Sequence, residues 1–151
     1  MQNTKIVIFC DGGARGNPGP AAVGYIIQNA KCKSQNDNTK CKIFESGKYI
    51  EEATNNQAEY KAVIEALKWL TDNRSQFTED LEIDCFLDSQ LIVEQLNQRY
   101  KLKNEGLKPL FWEIRDLVMS LGGKITFKYI PREQNKEADK LVNLALGKVT
   151  K

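Results

Sequence analysis

The sequence TKIVIFCDGG at residues 4–13 decides the fold class. Its first seven residues form an apolar run rich in β-branched side chains, which predicts a buried β-strand. The aspartate and glycines that follow predict that this strand runs into a turn, with Asp11 at its polar tip. A second strand is predicted over 22–28 and a third over 42–50, each after a polar or glycine-rich segment. The chain therefore begins as an antiparallel meander.

A helix follows the third strand. Thr54 and Gln57 fit a capping box, in which the threonine is the N-cap and the glutamine occupies the third helical position. Small and apolar residues then recur every four positions, at Ala58, Ala62, Ala66 and Leu70. A stripe with this spacing is expected to face the sheet.

A second strand-and-helix pair comes next. The run LEIDCFL at 81–87 predicts a fourth strand that ends at Asp88. Ser89 can cap a short helix after it. Three apolar side chains of that helix are expected to turn inward: Leu91, Ile92 and Leu96.

The last part of the chain completes the order βββαβααβα. A helix is predicted over 107–121, a fifth strand over 124–130, and a final helix over 136–146 that Asn135 can cap. This order predicts an α/β fold: a single mixed five-stranded sheet, antiparallel in its first three strands and parallel afterwards, flanked by helices. No linker rich in Gly, Ser or Pro divides residues 1–151, so we expect one domain.

Composition excludes several classes of chemistry. The 151 residues include 22 Lys and Arg and 20 Asp and Glu, so the formal net charge of +2 identifies no partner. Histidine is absent, which excludes Ser/His/Asp and Cys/His nucleophilic schemes, an imidazole general base, and zinc sites that need histidine. The sequence has neither an N-terminal signal nor an apolar run near the roughly 18 residues of a membrane helix. We therefore expect a cytoplasmic protein that contacts no membrane. We also expect a monomer, since no strongly apolar surface helix stands out.

The four cysteines form no C-x-x-C pair, which disfavours zinc ribbons and a thioredoxin-like motif. Cys10 and Cys85 lie in strand-like apolar runs and are predicted to be buried. Cys32 and Cys41 flank a polar turn and can pair under oxidation, although reduced thiols are the expectation in a cytosol.

Four carboxylates lie at positions that a purely structural role does not require. Asp11 and Asp88 each follow an apolar strand, and ligands of α/β sheets gather at such strand ends. Glu59 and Asp139 each lie one turn inside a helix, next to residues of its apolar face. Taken singly, each acid has another explanation, because aspartate is common in turns and caps and the helix dipole favours early acidic residues.

Together, however, converging carboxylates repel one another and collect hard divalent cations. With no histidine in the chain and no cysteine beside these acids, Mg²⁺ or Mn²⁺ is the expected occupant. Two such ions would activate a water and stabilise the leaving oxygen of a phosphodiester. The residues alone therefore predict metal-dependent phosphodiester chemistry.

Four segments together resemble type 1 ribonuclease H: DGGARGNPGPA at 11–21, TNNQAEY at 54–60, DSQLIVEQLN at 88–97 and IPREQNKEADKLVNLAL at 130–146. They occur in the family's order and span nearly the whole chain, so their combination is specific. The resemblance implies a ribonuclease H-like fold, with metal-binding acids at Asp11, Glu59, Asp88 and Asp139. It also implies two Mg²⁺ ions, with Mn²⁺ as a substitute, and an endonuclease that cuts the RNA strand of RNA/DNA hybrids to leave 3′-hydroxyl and 5′-phosphate ends.

The resemblance also implies residues that contact the substrate. RNA differs from DNA in its 2′-hydroxyl, which a shallow minor groove displays. Backbone contacts are implied for Gly12, Gly13 and Ala14. Side-chain contacts are implied for Asn17, Asn55, Asn56 and Gln90. Thr54 and Asn104 match positions that hold a phosphate of the DNA strand, although turns, caps and solvated loops are alternative roles for the polar residues.

The chain departs from the family at two places. Many members carry a histidine in the loop before the last acidic helix, where it is thought to help the product leave. This loop has none, and Arg132 or Glu133 can take over its role or simply be solvated. Some relatives also insert a basic helix and loop that grips substrate, whereas this chain has a short connector and a smaller basic patch, Arg99, Lys101, Lys103 and Lys108. Hybrid affinity should therefore be weak and sensitive to salt.

Two alternatives remain. A nucleic-acid-binding module on the same fold can lose catalysis, because fold alone does not establish function. Retention of all four acids argues against such a binding module, since an acidic pocket that faces phosphates does not help a protein to bind nucleic acid. A DNA nuclease or strand-transfer enzyme of the wider superfamily is disfavoured by the segments at 11–20 and 54–60, which resemble those of hybrid readers.

Overall fold

The computed structural model describes residues 4–30, 41–77 and 80–150. The described residues form five strands: β1 (Thr4–Ala14), β2 (Gly19–Asn29), β3 (Lys42–Ala53), β4 (Leu81–Leu87) and β5 (Ile125–Tyr129). They also form four α-helices: α1 (Asn55–Asp72), α2 (Gln90–Leu96), α3 (Lys108–Ser120) and α4 (Lys136–Thr150). The predicted order of elements is confirmed, with two additional short 3₁₀ turns at Arg74–Gln76 and Arg132–Gln134.

The strands form one mixed sheet in the order β3-β2-β1-β4-β5. β2 is antiparallel to both β1 and β3, whereas β4 is parallel to both β1 and β5. The predicted α/β fold with three antiparallel strands followed by parallel ones is therefore confirmed. The first strand of the chain is the central strand of the sheet.

β1 is longer than predicted. The segment 11–13 was expected to form a turn, yet β1 continues through it to Ala14, and residues 11–14 pair with residues 21–24 of β2. Pairing between β1 and β4 stops at Phe9 and Phe86, so beyond that point β1 is bonded only on its β2 side in the described ladders. The turn prediction is wrong because hydrogen bonds to β2 override the local preference of glycine for turns. Asp11 consequently lies inside a strand, where β1 and β4 separate.

Helices cover both faces of the sheet, and two glycines allow them to approach closely. A Cβ atom at Gly12 would overlap the backbone of Ala58 in α1, and one at Gly24 would overlap the carbonyl oxygen of Ala138 in α4. Gly12 pairs with Val23, the neighbour of Gly24, and successive strand residues point to opposite faces. α1 and α4 therefore lie on opposite faces of the sheet.

The main core lies between α1 and the sheet. The predicted stripe of α1 is completely buried, at Ala58, Ala62, Ala66 and Leu70. It packs with side chains of β1, β2 and β4, and α3 packs against the outer side of α1. Of the three residues predicted to turn inward from α2, Ile92 and Leu96 are buried, but Leu91 is 47% exposed, so that part of the prediction is wrong. Because α2 has only seven residues, one narrow face is enough to cover its side of the core.

α4 also extends further than predicted, to Thr150 rather than Leu146. Gly147 does not end the helix, because glycine in a helix interior costs only about 1 kcal/mol and ends a helix mainly when it adopts a left-handed conformation. In the described part of the chain, the only glycines with that conformation are Gly16, Gly122 and Gly123. The last two follow residue 121, where the helix was predicted to end.

The predicted capping box at the start of α1 is confirmed. The Gln57 backbone N–H donates to Thr54 Oγ1 at 3.1 Å, and the Thr54 N–H donates to Gln57 Oε1 at 3.0 Å. Ser89 caps α2 in the same way, with its hydroxyl accepting from the Ile92 N–H at 3.3 Å. These bonds satisfy backbone donors that have no partner within the helix.

We expect Thr54→Ala to lower the free energy of unfolding by about 1 kcal/mol, because it leaves a helix N–H without its acceptor. Thr54→Ser is the matched control, since it keeps the hydroxyl and should stay within a few tenths of a kcal/mol of the parent. Urea denaturation of the three proteins measures the difference. Equal midpoints for the alanine and serine variants would show that the cap contributes nothing.

Cys10 and Cys85 are buried free thiols, with their sulfur atoms 3.9 Å apart, as the sequence predicts. Cys41 is disulfide-bonded, so the expectation of a reduced thiol is wrong for this residue, while Cys32 lies outside the described residues. Among the helices that the structure describes, none combines the length and the apolar character needed to cross a membrane.

Candidate active site

Four different elements carry the predicted acids. Asp11 lies on β1, Asp88 directly follows β4, Glu59 lies near the start of α1, and Asp139 lies in the first turn of α4. Because side chains alternate along a strand, Asp11 shares its sheet face with Phe9, which is the face that α4 covers. The separation of β1 from β4 beyond Phe9 therefore leaves Asp11 directed toward the start of α4 rather than into the core beneath α1.

A cleft of about 380 Å³ opens at this end of the sheet. Three of the four acids line it: Asp11, Glu59 and Asp139. It is also lined by Gly12, Gly13, Ala14, Arg15, Asn55, Arg132, Val142, Asn143 and Leu146. Asp88 is not part of the lining but lies close enough to act electrostatically on both Asp11 and Glu59.

The surroundings of Asp11 and Glu59 oppose their ionisation. Burial, followed by the negative charges of Asp88, Glu59 and Asp139, raises the pKa of Asp11 to about 8. Burial and the charge of Asp88 raise the pKa of Glu59 to about 8, while Arg132 acts in the opposite direction. Burial and neighbouring negative charges therefore both favour the neutral form of these two carboxyl groups.

The donor set suits a hard cation, since all four groups offer carboxylate oxygens. Within residues 4–30, 41–77 and 80–150, however, no group of three Cys, Asp or Glu side chains is arranged as a ready metal site. Mg²⁺ often uses only one or two carboxylates together with waters and substrate phosphates rather than a complete protein cage. The residues therefore fit Mg²⁺ by chemistry and charge, without a preformed cage.

Two hydrogen bonds near the acids link α1 to α2 and hold the Asp139 side chain within α4. Tyr60, next to Glu59, donates from its hydroxyl to Gln95 Oε1 at 2.7 Å and so ties α1 to α2. Asn143 Nδ2 donates to Asp139 Oδ2 at 3.3 Å, one helical turn away. Sequence reasoning missed Asn143, although its spacing of four residues from Asp139 was a usable signal. It also missed Arg15, for which the sequence offers no signal beyond its place in a glycine-rich segment.

The predicted substrate residues are only partly brought together. Gly12, Gly13, Ala14 and Asn55 line the cleft. Asn55 Oδ1 accepts from the Ala14 N–H at 2.8 Å, and Asn17 Oδ1 accepts from the Asn55 N–H at 3.0 Å, so these residues tie the end of β1 to the start of α1. Asn56 and Gln90 are exposed but do not line the cleft.

Thr54 and Asn104 both have local structural partners. The Thr54 hydroxyl serves the helix cap, and Asn104 Oδ1 accepts from the Gly106 N–H at 2.8 Å. A Cβ at Gly106 would lie 3.2 Å from Gln57 Nε2, so the loop of Asn104 lies beside the first turn of α1. The two predicted phosphate-contacting residues are therefore on neighbouring segments.

The basic patch is weaker than its residue count indicates. Arg99 pairs with Glu94 at 2.9 Å, and Lys108 pairs with Glu105 at 2.9 Å. Lys101 and Lys103 are exposed. The two loop residues offered in place of histidine also differ: Arg132 lines the cleft, whereas Glu133 is exposed and does not.

Comparison with protein families and solved structures extends these observations. A family model described as reverse transcriptase-like matches residues 9–145. LC11-RNase H1, isolated from compost by a metagenomic approach, is 42% identical with a TM-score of 0.85, covering 98% of this chain and 99% of that one. A structure of LC11-RNase H1 in complex with an RNA/DNA hybrid matches with a TM-score of 0.84 at 41% identity, covering 97% of this chain and 99% of that one.

Two longer proteins are also similar. The bifunctional protein Rv2228c of Mycobacterium tuberculosis is 35% identical over 142 residues, which is 94% of this chain and 35% of that protein. Ribonuclease HI of Halobacterium salinarum is 34% identical over 142 residues, which is 94% of this chain and 64% of that protein. This chain therefore spans about one third and just under two thirds of the lengths of these relatives.

Proposed function

The chain belongs to the type 1 ribonuclease H family, and from this membership we propose that it is an endonuclease that hydrolyses the RNA strand of RNA/DNA hybrids. The observation that carries the proposal is the cleft in which Asp11, Glu59 and Asp139 meet the glycine-rich end of β1. The hybrid complex of LC11-RNase H1 supports the choice of substrate, because that protein covers nearly the same length of chain.

We propose that Asp11, Glu59, Asp88 and Asp139 hold two Mg²⁺ ions, for which Mn²⁺ can substitute. When bound, the ions would activate water and stabilise the leaving oxygen, giving 3′-hydroxyl and 5′-phosphate ends. The protein's own contribution is a group of carboxylates in which burial, and then mutual repulsion, raises the pKa values of Asp11 and Glu59. This repulsion favours occupation by cations over four bare negative charges.

Recognition of the RNA strand is proposed for the end of β1 and the start of α1. The side-chain oxygens of Asn17 and Asn55 accept from backbone N–H groups, so we assign substrate contact to their amide N–H groups. Gly12, Gly13 and Ala14 offer backbone atoms along the same wall of the cleft. Asn56 and Gln90 are assigned to the outer part of the protein surface that binds the hybrid, because both side chains are exposed. A 2′-hydroxyl both donates and accepts, so it can be read by such a mixed set.

Arg132 is the better candidate for the role of the missing loop histidine. It lines the cleft and acts on Glu59, whereas Glu133 does not line the cleft and would add a negative charge to an acidic site. A guanidinium can hold a phosphate oxygen and then exchange it for water as the product leaves. Arginine stays charged across the working pH range, so we expect no titration of activity comparable with that of an imidazole.

The test is cleavage of a labelled RNA/DNA hybrid with Mg²⁺, Mn²⁺ or EDTA, with duplex DNA and duplex RNA as controls. We expect metal-dependent cutting of the RNA strand of the hybrid alone, and loss of cutting in Asp88→Asn. Hybrid binding without cleavage under any metal would identify an inactive binding module. Cutting of duplex DNA would instead favour a DNA nuclease or strand-transfer enzyme.

The assembly and location of the protein are further proposals. We propose that the domain acts as a monomer in the cytoplasm, as the sequence predicts. Sedimentation velocity at micromolar concentration tests the first statement, with a single species of the monomer mass as the expected result. Cell fractionation tests the second.

A further inference from the structure

Asn135, which precedes α4, contacts three of the elements that build the site. Its side chain is completely buried. Nδ2 donates to the carbonyl oxygen of Cys10 at 2.9 Å and to Asp88 Oδ2 at 2.9 Å. Its own carbonyl oxygen accepts from the Asp139 N–H at 3.1 Å. One residue therefore joins the strand position before Asp11, the acid after β4, and the helix turn that carries Asp139.

The chemistry of asparagine suits this position. An amide nitrogen carries two N–H donors, so it can serve a backbone carbonyl and a carboxylate at the same time without adding charge. An aspartate in its place would be an acceptor only when ionised and would place another negative charge beside Asp88. A hydrogen bond to Oδ2 also limits rotation of the Asp88 carboxylate, and therefore fixes the direction in which its other oxygen points.

Neighbouring groups do not duplicate this role. Asn143 is bonded to Asp139 within α4, and Tyr60 is bonded to Gln95 between α1 and α2. Neither bond reaches Asp88 or β1. The side chain of Asn135 thus links Asp88 to β1, and its carbonyl oxygen links both to α4.

We propose that Asn135 is a positioning residue that orients Asp88 and fixes the start of α4 against β1, so that the four acids act as one cation-binding group. This inference rests on the proposed function of the site. It assigns Asn135 no contact with substrate or metal. Asn135 acts through Asp88 and Asp139, so its removal should first lower the affinity of the site for metal.

The experiment compares Asn135→Ala with Asn97→Ala, a matched control. Asn97 Nδ2 donates to the carbonyl oxygen of Phe127 at 2.8 Å, so its loss also removes an amide bond between two elements but touches no acid. Titration calorimetry with Mn²⁺ alone measures affinity, and urea denaturation in EDTA measures stability. We expect Asn135→Ala to weaken Mn²⁺ binding about ten- to hundredfold, the range for losing an outer-shell partner. Asn97→Ala should lose stability and keep the Mn²⁺ affinity of the parent.

A second variant covers the case in which Asn135→Ala fails to fold. Asn135→Ser keeps a residue that favours helix starts but offers one donor in place of two, so its Mn²⁺ affinity should lie between those of the parent and the alanine variant. Parent-like Mn²⁺ affinity in a folded Asn135 variant overturns the positioning role while the proposed function stands. Absence of both Mn²⁺ binding and hybrid cleavage in the parent overturns the proposed function, and the positioning role with it.

Discussion

Asp11→Asn is expected to lower hybrid cleavage by more than about a hundredfold, since we propose Asp11 as a metal ligand and losing a ligand should exceed the cost of losing an outer-shell partner. Asp11 is the most central of the four acids, because Asp88, Glu59 and Asp139 all act on it. Asparagine has nearly the same shape, so the fold should be kept. What is lost is the negative charge that draws a cation into the cleft.

The same substitution should stabilise the protein in the absence of metal. The pKa of Asp11 is raised to about 8 in the folded state, from an ordinary value of 3.8. The folded state therefore binds more protons than the unfolded state between these values, and the stability of the parent falls as pH rises through that window. Asparagine does not titrate, so the stability advantage of the variant over the parent should grow as the pH rises to about 8. We expect an advantage of more than about 1 kcal/mol at pH 8 and little at pH 4.

Urea denaturation at both pH values in EDTA, together with the cleavage assay, measures the two effects. Asp116→Asn is the matched control, because Asp116 lies on the exposed side of α3. It should change neither cleavage nor the pH dependence of stability. If Asp11→Asn keeps most of the parent's cleavage, or loses stability at pH 8, the assignment of Asp11 to the site is wrong.

Gly12→Ala is expected to lower the free energy of unfolding by about 3 kcal/mol or more, near the upper end of the cost of overpacking. The new methyl group would meet backbone atoms of Ala58 and Glu59, which cannot move aside as a flexible side chain can. Relief of the overlap requires α1 to shift away from β1. Because Glu59 lies at this contact, the folded fraction should also cut the hybrid more slowly.

Gly13→Ala is the matched control for this prediction. A Cβ at Gly13 would lie 3.7 Å from a methyl group of Val142, an ordinary contact distance. We expect a change in stability of less than about 1 kcal/mol for this variant. Denaturation monitored by circular dichroism separates the two. Equal unfolding midpoints for Gly12→Ala and Gly13→Ala would mean that α1 does not contact β1 at Gly12.

Sequence patterns predicted the elements better than their ends and contacts. The capping residues Thr54 and Ser89 were identified because a cap is a local hydrogen bond between residues three apart. The continuation of β1 through Asp11–Ala14 was missed because its partners lie on β2. Leu91 was wrongly placed inside because a seven-residue helix gives too little periodicity to define its buried face.

The candidate site shows the same limit. The four acids were identified because an acid beside an apolar run has a recognisable pattern, and the resemblance to ribonuclease H selected the same residues. Asn135 was identified only as a helix start. Its bonds to Cys10 and Asp88 join residues far apart in the sequence, and no local pattern reports such contacts.

The contact between Asn135 and Cys10 spans 125 positions, nearly the whole chain. The cleft therefore combines residues of β1 and α1 with residues much later in the sequence, and the last helix must dock before Asp139 can join the other acids. A chain emerging from the ribosome can form the first three strands and α1, yet it has no complete cleft until α4 has been synthesised. The proposed nuclease activity would thus report that α4 has docked on the rest of the domain.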